Sequence, residues 1–314
     1  MNVLLCGSFG PSERAGWRAA LQAALPGQRL LEAVDDAERA SIDVAIVANP
    51  PAGALQGLPR LRLIQSLWAG VDRLLADPTI PPQVPIARMV DPALAAAMAE
   101  TALWAVLSLH RGFFAYQQRQ RRALWRPHGQ RRADEVQVTL LGLGAMGQAC
   151  AQALVPQGYR VTAWTRTRPA PPALPGVHCI AGRDALWQWL PRSDVVVNLL
   201  PLTADTAGLL DAGFFAALPR HAGLVHLGRG AHLVEQDLLD ALDGGRLRHA
   251  VLDVFATEPL PAAHPFWAHE RITVLPHVAA LTDPRSAAQV VAHNLLALAE
   301  GRPILHRVDR SRGY

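Results

Sequence analysis

Residues 136–168 constrain the fold of this chain more than any other stretch. An apolar run, Val136-Gln137-Val138-Thr139-Leu140-Leu141, predicts a buried strand. Gly142-Leu143-Gly144-Ala145-Met146-Gly147 follows at once, and apolar residues at Met146, Ala149, Cys150, Ala153 and Leu154 then keep helical spacing. A G-x-G-x-x-G alone is weak evidence, because glycine-rich turns are common. Set between a strand and a helix, it predicts a dinucleotide-binding turn. Gly142 permits the tight strand-to-helix turn, Gly144 keeps side-chain bulk away from a pyrophosphate, and Gly147 lets the helix approach the sheet. The helix start, with Ala145 and Met146 in the turn, offers N–H groups and a positive dipole end to the phosphates. Pro156 and Gly158 end the helix, and residues 159–165 predict a second strand.

What stands at the end of that second strand selects the dinucleotide. An NAD-type site places an acidic residue there, hydrogen-bonded to the ribose 2′-hydroxyl. This chain has Thr165-Arg166-Thr167-Arg168 instead, with Arg166 nineteen residues beyond Gly147. A carboxylate repels a 2′-phosphate, whereas guanidinium groups and hydroxyls hold one through charge-assisted hydrogen bonds. Arg166, Thr167 and Arg168 therefore point to NADP(H) as the preferred cofactor, with NAD(H) as the second. The plainer reading makes these arginines part of a solvated loop.

At 314 residues the chain has room for two domains. Its three cysteines, Cys6, Cys150 and Cys179, are too few and too scattered for a disulfide framework or a metal site. Cys6 and Cys150 fall in apolar segments and read as buried. Every basic residue is Arg, and a net charge of +4 is too small to argue for nucleic acid. Met1-Asn2-Val3-Leu4-Leu5 lacks the charged start of a leader and reads as a strand. The longest apolar run, residues 93–109, carries Glu100 and falls short of a membrane span. Together these features predict a cytoplasmic enzyme with neither a membrane nor a nucleic-acid partner.

Strand and helix signals alternate along the chain, which favours parallel α/β architecture. Strands are expected at 3–7, 29–33, 44–48, 61–66 and 85–89, then a long helix over 92–122. Further strands are expected at 195–199, 223–227, 249–253 and 272–275, and a last helix over 286–300. Residues 169–175 read as a Pro-rich loop. Because the glycine turn lies well past the start, the dinucleotide-binding domain, 99–284, is inserted into a first domain built from 1–98 and 285–314. Both domains are expected to be doubly wound parallel sheets.

Three charged residues on separate strand ends form a chemical constellation. Arg229 lies in His226-Leu227-Gly228-Arg229-Gly230, Glu258 in Asp253-Val254-Phe255-Ala256-Thr257-Glu258-Pro259, and His277 in Leu275-Pro276-His277-Val278. In an open α/β sheet, ligands bind beyond the carboxyl ends of the strands, where all three stand. Histidine donates and accepts a proton near neutral pH, and arginine holds a carboxylate bidentately. This is equipment for hydride transfer to a 2-oxo acid. Each residue taken singly has a plainer reading, since most histidines are structural and most Arg and Glu are solvated.

The chain resembles the D-2-hydroxyacid dehydrogenases, and within them the glyoxylate/hydroxypyruvate reductase A type. The resemblance covers nearly the whole sequence. Besides the motifs above, it is carried by Leu67-Trp68-Ala69-Gly70-Val71-Asp72, Ala123-Leu124-Trp125, Asn198-Leu199-Leu200-Pro201-Leu202-Thr203 and Asp309-Arg310-Ser311-Arg312-Gly313-Tyr314. It implies a Rossmann domain inserted into a flavodoxin-like substrate domain. It implies that Arg229 binds and polarises the substrate, Glu258 orients His277, and His277 is the acid/base. Trp68 and the backbone amides near Ala69 and Gly70 would form the substrate site. Asp253 would bond the nicotinamide carboxamide, and Leu200, Pro201, Thr206, Gly228 and His277 would line the cofactor cleft. It also implies a homodimer, with Trp125 near the partner's active site, and NADPH-dependent reduction of glyoxylate or hydroxypyruvate.

The sequence departs from that pattern at three places. His226 stands where many relatives have Asn, Trp68 where reductase A relatives have a small residue, and Ala48 where several have an aromatic. Reduction of bulkier 2-oxo acids is therefore an alternative, and a non-catalytic dinucleotide-sensing scaffold is a second from another class. Arg88, at a strand end, reads either as an extra carboxylate contact or as structural. Arg119, Arg121, Arg122, Arg126, Arg131 and Arg132 read as the exposed end of the long helix or a subunit contact rather than a nucleic-acid patch.

Overall fold

The computed structural model describes residues 1–166 and 174–314. Thr167, Arg168 and most of the Pro-rich stretch at 169–175 lie outside the described residues. The chain forms two compact units, Met1–Leu94 with Thr282–Tyr314, and Ala95–Leu281. These divisions fall a few residues before the boundaries at 98/99 and 284/285 read from the sequence.

The first unit is built on five parallel strands, β1 (Asn2–Gly7), β2 (Arg29–Leu31), β3 (Val44–Ala48), β4 (Leu63–Ser66) and β5 (Ile86–Ala87), in the order β2-β1-β3-β4-β5. This is the flavodoxin-like order, with its reversal between β1 and β3. Every residue of β3 and β4 is buried, which is why β3 reads as an unbroken apolar run rather than an alternating one. The last helix, Pro284–Ala299, returns to this unit. Its buried Asn294 donates to Gln65 Oε1 at 2.7 Å and accepts from the Leu305 N–H at 2.9 Å, tying the C-terminal segment to β4.

The second unit holds seven parallel strands: β6 (Gln137–Leu141), β7 (Arg160–Thr165), β8 (Val177–Ala181), β9 (Val195–Asn198), β10 (Ala222–His226), β11 (Leu247–Leu252) and β12 (Ile272–Val274). Their order is β12-β11-β10-β9-β6-β7-β8, the Rossmann order with one extra strand. Successive side chains point to opposite faces, so each central strand serves two cores. Val195 and Val197 enter one core with Cys150, Ala151 and Leu154, while Val196 enters the other with Phe214 and Phe215. β8 is absent from the sequence reading. It is an edge strand with no fully buried residue, so it lacks the apolar signal of its neighbours.

The helix expected over 92–122 is two helices, Pro92–Arg111 and Phe113–Arg121. Gly112 separates them at φ +70°, with the His128 ring packed where a Cβ would stand. At 20 residues the first helix is longer than the apolar run read from the sequence, and it is long and apolar enough to cross a membrane by length and composition. Its Ala99, Ala102, Val106 and Leu109 face the core of the second unit at spacings of three and four, the pattern of a core helix. Cys150 is fully buried, which pushes its thiol up to about 12, whereas Cys6 is only half-buried.

The glycine turn behaves as the sequence requires. Gly142 sits at φ +101° between β6 and the helix Ala145–Leu154. A Cβ on Gly147 would collide with the Gly142 carbonyl oxygen, whereas a Cβ on Gly144 would meet open space within 4 Å. Gly147 is thus required by packing, and Gly144 leaves room in front of the helix start.

Candidate functional site

The strand order fixes the row in which the candidate residues stand. His277 follows β12, Asp253 and Glu258 follow β11, Arg229 follows β10, Leu200 and Pro201 follow β9, the glycine turn follows β6, and Arg166 ends the β7 side. All six positions lie on the carboxyl edge of one parallel sheet. With strands about 4.8 Å apart, the row extends over about 24 Å. The acid–base candidates therefore stand on one wing, and the glycine turn and Arg166 on the other.

On the first wing three interactions hold His277. Its Nδ1 lies 2.8 Å from Glu258 Oε2, while Glu258 Oε1 accepts the Phe255 N–H at 2.9 Å. The carboxylate is anchored through one oxygen and orients the ring through the other, which leaves Nε2 as the atom available for chemistry. The backbone of His277 is left-handed at φ +56°, and its N–H donates to the Leu275 carbonyl at 3.0 Å across Pro276. A non-glycine residue in this region costs of order 1–3 kcal/mol and persists only where its surroundings hold it. Asp253 supplies that hold, because its Oδ1 accepts the N–H groups of Val278 at 2.8 Å and Ala279 at 3.0 Å. Burial raises the Asp253 pKa, and these two N–H donors and the nearby His277 act against the rise. This clamp was not visible in the sequence, where Asp253 suggested only a cofactor contact.

Arg229 is set by the turn that follows β10. Its Nη1 donates to the Gly228 carbonyl at 2.8 Å, and its N–H donates to His232 Nδ1 at 3.1 Å. Gly230, next in the chain, packs so closely on the Phe255 backbone that no Cβ fits. The turn is thereby pressed against the β11 segment that carries Glu258.

The wing beyond β9 is a loop with its polar groups already committed. Asn198 Oδ1 accepts the Leu200 N–H at 3.2 Å, and Thr206 Oγ1 donates to the Pro201 carbonyl at 2.8 Å. Thr206 is buried, so its hydroxyl serves the loop rather than a ligand. Across the turn, Arg166 Nη1 lies 3.2 Å from Thr203 Oγ1 and 3.0 Å from Asp205 Oδ2. Arg166 is therefore ordered rather than trailing in solvent, and it faces an acidic neighbour the sequence reading did not weigh.

The other candidates lie in the first unit. Ser66 Oγ caps the turn after β4, with the Trp68 N–H and carbonyl both at 3.0 Å, and the Trp68 indole meets Trp17 edge-on with ring centroids 6.0 Å apart. The N–H groups of Ala69 and Gly70 have no hydrogen-bond partner among the described residues. Arg88 follows β5, where burial lowers its pKa and Tyr314 opposes the shift. Ala48 ends β3, fully buried.

The chain is similar to known proteins over its full length. Residues 103–279 match the model of the D-isomer specific 2-hydroxyacid dehydrogenase family, NAD binding domain. The chain is 40% identical to the glyoxylate/hydroxypyruvate reductase A of Serratia proteamaculans, over 100% of both. It is 37% identical to a D-isomer specific 2-hydroxyacid dehydrogenase from Xanthobacter autotrophicus solved with NADPH and MES, with a TM-score of 0.92 over 99% of each chain. An NADPH-dependent glyoxylate/hydroxypyruvate reductase from Sinorhizobium meliloti, solved with NADP and sulfate, gives 34% identity and a TM-score of 0.91 over 100% of this chain and 99% of that one.

Two buried histidines near the sheet make stability depend on acid. Burial, reinforced by His232, lowers His226 to about 3, and burial, reinforced by Arg248 and then His269, lowers His249 to about 4. Both rings are neutral in the fold and protonate near pH 6.5 when unfolded, so their stabilisation is complete above about 6.5 and is lost as pH falls toward 4 and 3. Each contributes a slope of up to about 1.4 kcal/mol per pH unit in that window. Calorimetry between pH 7 and 4.5 should show Tm falling more steeply in the wild type than in His226→Asn. Parallel curves would contradict this account.

Proposed function

The chain belongs to the D-isomer specific 2-hydroxyacid dehydrogenase family, and on that premise we propose that it reduces small 2-oxo acids, glyoxylate and hydroxypyruvate, with NADPH. The observation that carries the reading is the His277–Glu258 pair at 2.8 Å on adjoining strand ends. A dinucleotide-sensing scaffold has no use for a strained, clamped histidine with one ring nitrogen directed by a carboxylate.

The residues fit the cofactor: Gly144 leaves open space before a helix start, and Arg166 stands where a 2′-phosphate falls. When bound, the nicotinamide supplies the hydride that reaches the carbonyl carbon of the substrate. His277 gives a proton from Nε2 to the carbonyl oxygen, while Glu258 steadies the charge change at Nδ1. Arg229 polarises that oxygen and stabilises the charge that develops on it. The amides of Ala69 and Gly70, without a partner among the described residues, are the groups we propose for the substrate carboxylate. Atoms balance as one hydride and one proton added across the C=O bond. We place the enzyme in the cytoplasm.

A panel of 2-oxo acids assayed with NADPH tests the reading. Glyoxylate and hydroxypyruvate should be reduced, and His277→Ala should lower kcat by about 100-fold or more with the Kd for NADPH nearly unchanged. Near-native turnover in His277→Ala, or turnover confined to bulky 2-oxo acids, would refute the corresponding part of the proposal.

Cofactor choice is tested at Arg166. The Asp205 carboxylate already neutralises part of its charge, so the gain from a 2′-phosphate is reduced to about 1.4 kcal/mol, or about tenfold. Arg166→Ala should lower kcat/KM for NADPH by about tenfold and leave NADH within twofold. Equal loss with both cofactors would show that Arg166 acts on the fold rather than on the phosphate.

We also assign a homodimer. Trp125 is 100% exposed and Leu124 55% exposed, an apolar pair on the surface that supports this reading. Light scattering at micromolar concentration should give twice the chain mass, and Trp125→Ala should shift the protein toward monomer; a monomeric wild type rules the assignment out.

A further inference from the structure

Beneath the Arg229 turn lies a polar cluster that the proposed chemistry does not use. Asn198 ends β9 and His226 ends β10, and the two are paired in parallel register. Asn198 Nδ2 lies 3.1 Å from His226 Nδ1 and 3.1 Å from His232 Nδ1. The amide orientation is set by its other end, because Oδ1 accepts the Leu200 N–H at 3.2 Å. Nδ2 therefore donates one hydrogen to each ring, and both Nδ1 atoms must be bare acceptors. His226 and His232 are then neutral rings protonated at Nε2. His226 is wholly buried, and the Arg229 backbone is the group that offers its ring a further hydrogen bond, which acts against the lowering of its pKa.

His232 uses both of its nitrogens. Nδ1 also accepts the Arg229 N–H at 3.1 Å, so the ring caps the turn that presents Arg229. Nε2–H donates to the Pro201 carbonyl at 3.2 Å, the same oxygen that takes the Thr206 hydroxyl. One rigid ring thus joins the substrate arginine's backbone to the loop after β9. A ring with the opposite tautomer can make neither contact, and an imidazolium keeps the bond to Pro201 but loses the acceptor that takes the Arg229 N–H.

We propose that His232 is a positioning residue for the reductase reaction: a strut of fixed tautomer that locks the Arg229 turn to the 199–206 loop, with Asn198 and His226 holding the tautomer. The proposal rests on the role of Arg229 given above. It acts through the placement of Arg229 and not through contact with substrate.

The test compares His232→Leu, which removes both contacts, with His232→Gln, whose amide accepts at one end and donates at the other. Amide hydrogen exchange of the folded protein reads the strut without any catalysis. Protection of the Arg229 N–H should fall about tenfold in His232→Leu and be kept in His232→Gln. Nitrogen-15 spectra of the imidazoles at pH 8 should show both rings protonated at Nε2 and bare at Nδ1. In kinetics, His232→Leu should lower kcat/KM for glyoxylate by about tenfold in the wild type and by little in an Arg229→Ala background. A merely structural role gives equal losses in both backgrounds, and that additivity, or unchanged Arg229 exchange, overturns the proposal. Absence of 2-oxo acid reduction in the wild type counts against the functional reading alone, since exchange and spectra still decide whether the strut exists.

Discussion

Leu141 and Asn198 lie opposite each other in parallel register, and the chain leaves these two strands toward opposite faces of the sheet. The helix Ala145–Leu154 packs into one core and the helix Ala212–Ala217 into the other. Divergence of the two connections opens a crevice at the carboxyl edge, and that opening is a property of strand order rather than of any side chain. The remaining features furnish the crevice. Gly147 brings the first helix against its strand, Gly144 leaves the space in front empty, and the loop after β9 supplies the opposite wall. Parallel strands covered on both faces also explain why almost every central position is apolar, with polar groups gathered at the strand ends.

Precision at those ends comes from polar groups that bind backbone, two of which, Asp253 and His232, are buried. Asp253 holds two N–H groups beyond His277, Glu258 holds the Phe255 N–H, and His232 holds the Arg229 N–H. Each uses one acceptor to fix a turn whose geometry is otherwise unfavourable or free. Such acceptors are worth more in a buried setting than in water, because the alternative is an unsatisfied group. The same burial makes the cluster sensitive to acid, since a neutral imidazole that accepts a hydrogen bond cannot do so once protonated.

The cofactor wing shows a balance of charge rather than a simple basic cradle. Arg166 is held by Thr203 and Asp205 across the turn, so its guanidinium is ordered before any ligand arrives. Preorganisation lowers the entropic cost of binding a phosphate, while the carboxylate reduces the electrostatic gain. The two effects oppose each other, and under the proposed role of Arg166 their difference sets how strongly NADPH is separated from NADH.

Periodicity and local chemistry in the sequence determined the parallel α/β class, the strand–turn–helix of residues 137–154 and the separate duties of its three glycines, because those depend on neighbours within a few residues. Strand-end placement likewise marked Arg229, Glu258 and His277 as companions before their distances were known. What stayed hidden has a common cause. β8 pairs on one side only and buries no residue fully, so its pattern is faint. The break at Gly112 depends on the His128 ring, sixteen positions away in the chain. Asn198, His226 and His232 sit 28 and 34 positions apart, and only the pairing of β9 with β10 brings them together. Arg166 announced its charge in the sequence, but its partner Asp205 is placed by the loop after β9. Residue types and local spacing thus decided which groups the candidate site brings to the strand ends; tertiary pairing decided which acceptors hold them in place, since hydrogen bonds between strand ends follow register and not sequence distance.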